Sequence, residues 1–370
     1  MDEMTVVNAL KECNVDIITS LPCDRNKTLT KMLHGHFRTI DLTREEDAVG
    51  ICAGAYLAGG RPVVSIQSSG LGNMMNALMS LTSVYEMPLP ILASWRGTEG
   101  EPIEAQRPFN SRLPAMLEAY GIHYDIIGSE NDLRRVKGTV DKAYSENRIT
   151  VALIKPECWK GTAPEQTFGK RARAVKMTYR RDIPEPSVSR LDAIKAIMDN
   201  VGDDSAVVSN IGVPSKETYA SKDRPLNFYM LGSYTQATPI GFGLALNSDK
   251  EITVIDGDGS LLGSSVLPVV AAEDRKNLTI ICLDNGTFGS TGDQITNAYG
   301  QTDMELIARA CGLKDTVKAW DRDSIMNAVN KKSKGTKFIH AIIKPGNSSS
   351  KNIPMSAAEI KRRFMDAMSL

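Results

Sequence analysis

Long apolar runs and an imbalance of charge are both missing from this sequence. No stretch approaches the roughly 20 consecutive apolar residues of a membrane-spanning helix, and the acidic start Met1-Asp2-Glu3-Met4 lacks the apolar run of a signal peptide. Lysine plus arginine (44) equals aspartate plus glutamate (44), so no excess of positive charge indicates a nucleic acid or a membrane surface as a partner. We therefore expect a soluble, cytoplasmic protein that acts on a small molecule.

Paired cysteines and a nicotinamide-binding turn are absent as well. The six cysteines lack the close spacing of a zinc site or a redox motif, and reduced thiols are typical of a cytoplasm. No Gly-x-Gly-x-x-Gly lies on an early strand-to-helix turn with an acidic residue about 20 positions later. This absence disfavours a nicotinamide-dependent oxidoreductase, the first alternative that an α/β pattern suggests.

The sequence does contain short β-branched runs that alternate with longer amphipathic stretches, a pattern typical of parallel strands joined by helices. Each half of the 370 residues supplies six such runs, enough for two domains with separate cores. We predict an α/β fold made of two tandem doubly wound parallel-sheet domains. The predicted strands are 16–19, 39–42, 63–67, 89–94, 124–127, 151–155, 206–209, 227–231, 252–256, 279–284, 316–319 and 338–344.

The domain boundary is predicted where apolar periodicity stops. Residues 161–188 are rich in Lys, Arg and Pro, as expected of a solvated linker. The first domain then covers residues 1–160 and the second covers residues 189–370. Each half ends on a similar apolar strand that a proline terminates, at Pro156 and at Pro345. This similarity indicates two related folds in tandem.

The most informative motifs follow two consecutive predicted strands of the second half. Gly257-Asp-Gly-Ser260 follows the first strand, and Asp284-Asn-Gly-Thr287 follows the second. A right-handed crossover makes such strands parallel, so Asp258 and Asn285 are expected at the same edge of the sheet. Their side-chain oxygens, with the carbonyl oxygen of Thr287, are ligands that Mg²⁺ prefers. The sequence therefore predicts a magnesium site at this edge.

The same segment is suited to a phosphate group. Gly257 and Gly259 allow the main chain to approach a ligand closely, and Ser260 with the helix start behind it offers hydrogen-bond donors. Either triplet alone is ordinary turn chemistry. The two together, 27 residues apart and each after a buried strand, favour a site for a metal ion and a diphosphate.

These paired motifs resemble the metal signature of the thiamine-diphosphate-dependent decarboxylases. The family often has two asparagines where this chain has Asp284-Asn285, but the second of the pair is the ligand. The resemblance implies the thiamine-diphosphate-binding fold, with a pyrimidine-binding first domain, a diphosphate-binding second domain and no middle domain. It implies thiamine diphosphate and Mg²⁺ as cofactors, with Asp258, Asn285 and the Thr287 carbonyl binding the metal.

The resemblance also implies that a glutamate of the first domain activates the cofactor. The predicted residue is Glu46, ten residues before Tyr56, because similar decarboxylases show this spacing between the two. The role requires a carboxyl group, shielded from water, that shares a proton with the aminopyrimidine ring. Glu45 and Asp47 are the neighbouring alternatives. A further alternative is structural: Thr43 and Glu46 have the spacing of a helix capping box.

Two other cofactor contacts and the assembly are implied by the same resemblance. Gly232 would accept a hydrogen bond from the cofactor's amino group, and Tyr234 would wedge the cofactor into its bent shape, although a smaller apolar residue is more usual there. Small residues after Glu46 would let this helix pack closely against a partner. The implied assembly is a homodimer or homotetramer, with active sites between the first domain of one chain and the second domain of another.

Within the family, the chain resembles the compact two-domain subgroup that acts on sulfopyruvate or phosphonopyruvate. Segments 21–25, 67–73 and 95–100 look like those of enzymes that decarboxylate 3-sulfopyruvate to sulfoacetaldehyde and CO₂ in coenzyme M biosynthesis. Those enzymes are two separate chains in many organisms, and this chain resembles their fusion. Phosphonopyruvate remains the alternative substrate, and a non-catalytic cofactor-binding assembly subunit remains the alternative of another class.

A substrate with two acidic groups requires fixed positive charge or aimed donors in its pocket. Five residues of the first-domain loops are candidates for this contact: Arg25, Lys27, Gln67, Arg96 and Arg107. Most loop arginines are simply solvated, so substrate binding by each of these residues is a hypothesis.

Overall fold

The computed structural model describes residues 2–159 and 184–370. Most of the predicted linker, residues 161–188, lies outside the described residues. The strands are β1 (Ile17–Ser20), β2 (Arg38–Asp41), β3 (Pro62–Gln67), β4 (Leu89–Ser94), β5 (His123–Ile127), β6 (Ile149–Ile154), β7 (Ala206–Ser209), β8 (Asn227–Tyr229), β9 (Ile252–Gly257), β10 (Leu278–Asp284), β11 (Thr287–Phe288), β12 (Gln294–Ile295), β13 (Asp315–Ala319) and β14 (Lys337–Ile342). All twelve predicted strands are present, with ends shifted by at most two residues.

Helices separate the strands in both halves, and they bury their apolar faces on the sheets. The α-helices are α1 (Asp2–Glu12), α2 (Lys27–His36), α3 (Glu45–Leu57), α4 (Gly70–Ala77), α5 (Arg107–Asn110), α6 (Leu113–Ala119), α7 (Val136–Glu146), α8 (Arg190–Asn200), α9 (Val213–Ser221), α10 (Ala237–Asn247), α11 (Asp258–Gly263), α12 (Leu267–Glu273), α13 (Met304–Ala310), α14 (Arg322–Asn330) and α15 (Ala357–Met368).

The two sheets have the same topology. The first has the order β2-β1-β3-β4-β6-β5, and the second, read from its other edge, has the order β8-β7-β9-β10-β14-β13. All strand pairs within these sheets are parallel. The predicted fold class is therefore confirmed. The order reverses between β1 and β3 in one sheet and between β7 and β9 in the other, which places a ligand-binding crevice at the carboxyl ends of these strands.

Helices α3 and α10 join the two domains. A Cβ atom on Gly54 would clash with the Ile240 carbonyl oxygen, and one on Gly243 would clash with the Ile51 carbonyl oxygen. The backbones therefore touch where the side chains are missing, as the small residues of α3 predicted. The partner that α3 packs against is α10 of the same chain, and one apolar core continues across this contact.

Cysteine chemistry and membrane insertion play no visible part in this architecture. All six cysteines are unpaired, and five of them are buried. In the described ranges, no helix combines the length and the apolar character that crossing a bilayer requires.

Candidate functional site

A cavity of about 170 Å³ opens at the carboxyl edge of the second sheet, where the strand order reverses. Its wall is formed by the segments that follow β7, β9 and β10. Seven residues nominated by the sequence come together in this wall: Tyr234, Gly257, Asp258, Gly259, Ser260, Asn285 and Thr287. The sheet topology thus unites two motifs that are separated by a complete strand and helix.

Asp258 is the only carboxylate among these seven residues. It begins α11, is 2% exposed, and accepts a hydrogen bond from the Thr296 hydroxyl. Burial, followed by the nearby charge of Asp284, raises the pKa of Asp258 to about 6. A buried carboxylate with this electrostatic deficit suits a divalent cation, which would supply the missing positive charge.

The loop after β10 presents neutral oxygens to the same cavity. Asn285 is held by two contacts with Thr287: its amide nitrogen donates to the threonine hydroxyl at 3.0 Å, and its carbonyl oxygen accepts from the Thr287 amide at 3.3 Å. No cluster of three or more His, Cys, Asp or Glu side chains in the described part of the chain could hold a metal ion. Asp256 also lines the cavity, but its oxygens accept hydrogen bonds from Asn210 and Thr238. A cation here would therefore depend mainly on Asp258 and on amide and carbonyl oxygens, the hard donor set that Mg²⁺ accepts.

The glycines of this loop have different tasks. A Cβ atom on Gly259 would lie 2.5 Å from the Phe288 ring, so packing alone requires glycine there. A Cβ atom on Gly257 would meet nothing closer than 3.8 Å, and the residue lines the cavity. Packing does not explain Gly257, whereas a ligand lying against its backbone would.

Arg190 is a cavity residue that sequence reasoning missed. It is the first residue of α8 and is 6% exposed. Its Nε donates to Glu217 at 2.8 Å and its Nη2 donates to Asn347 at 2.7 Å, while its Nη1 lies near Gly289 in the cavity wall. The sequence around Arg190 reads as an ordinary helix start, so only the three-dimensional structure reveals this positive charge.

The loop that contains Gly232 and Tyr234 is conformationally strained. Ser233 and Thr235, on either side of Tyr234, have positive φ angles of 71° and 76°, which non-glycine residues rarely adopt. The Tyr234 hydroxyl donates to the Gly259 carbonyl, so the ring stands over the cavity. Gly232 lies apart from the cavity wall: a Cβ atom there would meet the backbone oxygen of Ser80 in the first domain at 2.8 Å.

The first turn of α3 has two glutamates that face different neighbours. Glu46, the predicted residue, is ion-paired with Arg44 at 3.2 Å, and its side chain is 15% exposed. Glu45 accepts a hydrogen bond from Asn73 at 2.9 Å and packs against Gly70. Glu45 is seven residues before Cys52, which contacts Thr19 of β1, so Glu45 lies on the helix face over the first sheet.

The capping alternative for Glu46 is wrong. The N-cap of α3 is Arg44, which makes no side-chain capping bond, and the Thr43 hydroxyl donates instead to the Ser265 carbonyl of the second domain. Asp47, which is 1% exposed, accepts a hydrogen bond from Ser264 at 3.2 Å. Two side chains of this turn therefore fasten α3 to the segment that follows α11.

Four of the five candidate substrate residues form a cluster at the carboxyl edge of the first sheet. Arg96 is buried and bonds Glu101 through two nitrogens, at 2.7 and 2.8 Å. The hydrogen bond to Glu101 raises the pKa of Arg96, and the same bond lowers the pKa of Glu101 to about 2. Arg107 donates to the Glu101 carbonyl at 2.9 Å, and Gln67 donates to Ser69 at 2.6 Å.

Arg25 completes this cluster and has the least committed guanidinium. It lies 3.8 Å from Asp24 and 4.0 Å from Glu101, and its buried Nε has no hydrogen-bond partner. Lys27 is exposed at the start of α2, outside the cluster. Among the described residues, none of the first domain lines the cavity of the second. The two domains nevertheless meet within one chain, where Gly232 packs on Ser80 and Asp47 bonds Ser264.

Comparison with known proteins identifies the family. The model described as the thiamine pyrophosphate enzyme N-terminal TPP binding domain matches residues 3–114, and that of the C-terminal TPP binding domain matches residues 211–341. This chain belongs to the thiamine-diphosphate-dependent decarboxylases. The two matched segments fall in the two sheet domains, and the site cavity lies in the second of them.

Curated relatives extend the match over the whole chain. The sulfopyruvate decarboxylase of Methanosarcina acetivorans is 43% identical over 99% of this chain and 97% of its own length. The phosphonopyruvate decarboxylase of Streptomyces viridochromogenes is 30% identical over 97% of this chain and 93% of its own length. In Methanocaldococcus jannaschii, sulfopyruvate decarboxylase subunit beta matches 48% of this chain at 43% identity, and subunit alpha matches 31% at 41% identity. The predicted resemblance to fused subunits is thus confirmed.

A solved structure shows the same architecture. Benzoylformate decarboxylase from Polynucleobacter necessarius superimposes with a TM-score of 0.69 at 13% identity, covering 95% of this chain and 99% of that chain. At this identity the similarity concerns the fold alone.

Proposed function

We propose that this chain decarboxylates 3-sulfopyruvate to sulfoacetaldehyde and CO₂ with thiamine diphosphate and Mg²⁺ as cofactors. The observation that carries the proposal is the cavity at the second switch point, where Asp258, Asn285 and Thr287 converge. The choice of substrate is supported by the 43% identity to a sulfopyruvate decarboxylase, against 30% to a phosphonopyruvate decarboxylase.

The second domain would hold the cofactor's charged end. Asp258, the Asn285 amide oxygen and the Thr287 carbonyl would bind Mg²⁺, while Ser260 and the backbone at Gly257 and Gly259 would contact the diphosphate. Arg190, whose charge is paired with Glu217, would present its Nη1 to the same wall as a hydrogen-bond donor. Bound thiamine diphosphate supplies the nucleophilic carbon and the electron sink that decarboxylation of a 2-oxo acid requires.

The first turn of α3 would supply the activating carboxyl group. We place this role on Glu46, as the sequence predicts, because Gly50, one turn further along the same helix face, donates to Gln236 of the second domain at 2.9 Å. Glu45 instead bonds Asn73 of its own domain. The Glu46 carboxyl would share a proton with the aminopyrimidine ring. Gly232 would accept from the cofactor's amino group, and Tyr234, held over the cavity, would support the cofactor's bent shape.

Arg25 is the cation best placed for the substrate's second anion. Arg96 is neutralised by Glu101 and serves to shape the loop, and Arg107 is bonded to a carbonyl. Arg25 makes no hydrogen bond with its Nε and is about one-third exposed. A guanidinium in this state can bind a sulfonate with two parallel hydrogen bonds.

The substrate comparison tests the proposed reaction. We expect CO₂ release from sulfopyruvate with a kcat/KM at least about tenfold above that for phosphonopyruvate, since a contact that fits one anion is worth about 1–3 kcal/mol. Pyruvate, which lacks a second anion, is the matched control and should react far more slowly. Equal or better turnover of phosphonopyruvate would reverse the assignment, and no CO₂ from any of the three would favour the non-catalytic assembly subunit.

The active sites would form between copies of the chain in the cytoplasm. The apolar rim of the cavity supports this arrangement. Five large side chains of this region are between 40% and 68% exposed: Leu231, Tyr234, Phe288, Ile295 and Tyr299. A first domain of another copy would cover them.

Mixed oligomers test this assembly. Glu46→Gln and Asp258→Ala chains should each be inactive, but randomly mixed dimers with sites between chains regain one intact site per hybrid, or about a quarter of the wild-type activity. The copies should be unfolded and refolded together, with each variant refolded alone as the control. Hybrids without activity would place each site within one chain.

A further inference from the structure

The segment that carries Asn285 and Thr287 is long, and its two ends meet at one buried histidine. Residues 285–303 connect β10 to α13. His340, on β14, is 0% exposed. Its Nε2 lies 2.8 Å from Asp284, just before the segment, and its Nδ1 lies 3.6 Å from Asp303, at its end. The imidazole therefore stands between two carboxylates that are 19 residues apart in sequence.

Each carboxylate also holds the backbone at its own end of the segment. Asp284 accepts a hydrogen bond from the Gly286 amide at 3.0 Å. Asp303 is the N-cap of α13 and accepts from the Leu306 amide at 3.1 Å. Any movement of His340 is therefore transmitted to the turn that contains Asn285 and to the start of α13.

Lys318 and His340 supply positive charge beside the two carboxylates. Lys318 lies 2.7 Å from Asp303 and 3.4 Å from Glu305, and Lys318 and His340 are register partners on β13 and β14. Burial opposes protonation of His340, but its interactions with Asp284 and Asp303 raise its pKa. Its Nε2 is hydrogen-bonded to Asp284, whereas Nδ1 makes no hydrogen bond and faces Asp303 as an ion pair at 3.6 Å. A positive His340 therefore attracts both carboxylates at once. Buried charges persist when they are paired in this way.

We propose that His340 is a positioning residue that ties both ends of segment 285–303 together through Asp284 and Asp303, and thereby presets Asn285 and Thr287 for the cation. The inference rests on the proposed function for the identity of the cation. It also gives Asp284, which stands where the family often has asparagine, a task of its own: its charge is required by the imidazole.

The test uses the full chain with His340→Gln, whose amide is neutral and offers its donors from a single nitrogen. We expect the Mg²⁺-dependent affinity for thiamine diphosphate, measured by calorimetry, to fall about 10- to 100-fold, as is typical when a supporting contact of a metal ligand is lost. Proteolytic cleavage between residues 286 and 302 in the absence of cofactor should accelerate. At saturating cofactor, kcat should return to within about threefold of wild type, because His340 touches no reacting atom.

A second variant guards against simple unfolding. Asp303→Asn keeps a helix-capping side chain but removes one charge, and it should weaken cofactor binding and expose the segment in the same direction. His123→Gln is the matched control, because His123 pairs with Asp125 at 3.4 Å, far from this segment in sequence. If segment 285–303 were cleaved as slowly in His340→Gln and Asp303→Asn as in the wild type, the positioning role of His340 would be wrong. Cleavage is measured without ligand, so failure of wild-type protein to bind the cofactor would overturn the proposed function separately.

Discussion

Asp258→Ala should abolish the magnesium-dependent binding of thiamine diphosphate. The side chain is the one carboxylate of the predicted metal set, and burial together with the charge of Asp284 raises its pKa. Losing a direct ligand should weaken cofactor affinity by about 100-fold or more, beyond the 10- to 100-fold typical of indirect contacts. Wild-type protein should gain thermal stability when Mg²⁺ and cofactor are added together, and the variant should not.

Asp249→Ala is the control for this experiment. Asp249 is an exposed aspartate in the turn that precedes β9, so its removal changes the overall charge by the same amount without touching the cavity. It should bind the cofactor as the wild type does. If Asp258→Ala retained wild-type affinity in magnesium buffer, the assignment of the metal site would be wrong.

Glu45→Gln and Glu46→Gln should separate the two adjacent glutamates. Both variants should bind the cofactor, because neither residue belongs to the second-domain cavity. Glu46→Gln should lower kcat by about 10²- to 10⁴-fold, the usual contribution of a positioned acid or base. Glu45→Gln can still accept a hydrogen bond from Asn73 and should stay within about threefold of wild type.

The same pair of variants is each other's control, since they remove equal charge from one helical turn. A large loss in Glu45→Gln with normal Glu46→Gln turnover would move the role to Glu45. Near-normal turnover in both would remove the first turn of α3 from the chemistry. The rate at which the thiazolium ring proton of the bound cofactor exchanges for deuterium shows whether the lost step is activation of the cofactor.

The sequence was most informative where burial dictates composition. Strands such as β4 and β10 are covered on both faces, so they appear as continuous apolar runs with sharp ends. The Gly-Asp-Gly and Asp-Asn-Gly turns were equally readable, because each directly follows such a strand. The small hairpin of β11 and β12 was not predicted, since two-residue strands are too short to show a period of two.

Other features depend on tertiary contacts that no local pattern records. Spacing to Tyr56 points to Glu46, but only the packing of α3 shows that Gly50, on the same helix face, meets Gln236 of the second domain. Arg96 looked like an available cation until folding brought Glu101 and Asp24 against it. Arg190 reaches the cavity from α8, the first helix of the second domain. The residues next to it in sequence do not indicate that it lines the cavity.

The glycine contact between α3 and α10 limits how this enzyme can diversify. Even a methyl group at position 54 or 243 would meet a carbonyl oxygen of the opposite helix, so the separation of these helices admits almost no variation. The loops at the carboxyl edges of the two sheets are not held by this helix contact. New substrate preferences can therefore arise by exchanging loop residues, while the distance between the two sheet edges, which α3 and α10 set, stays constant.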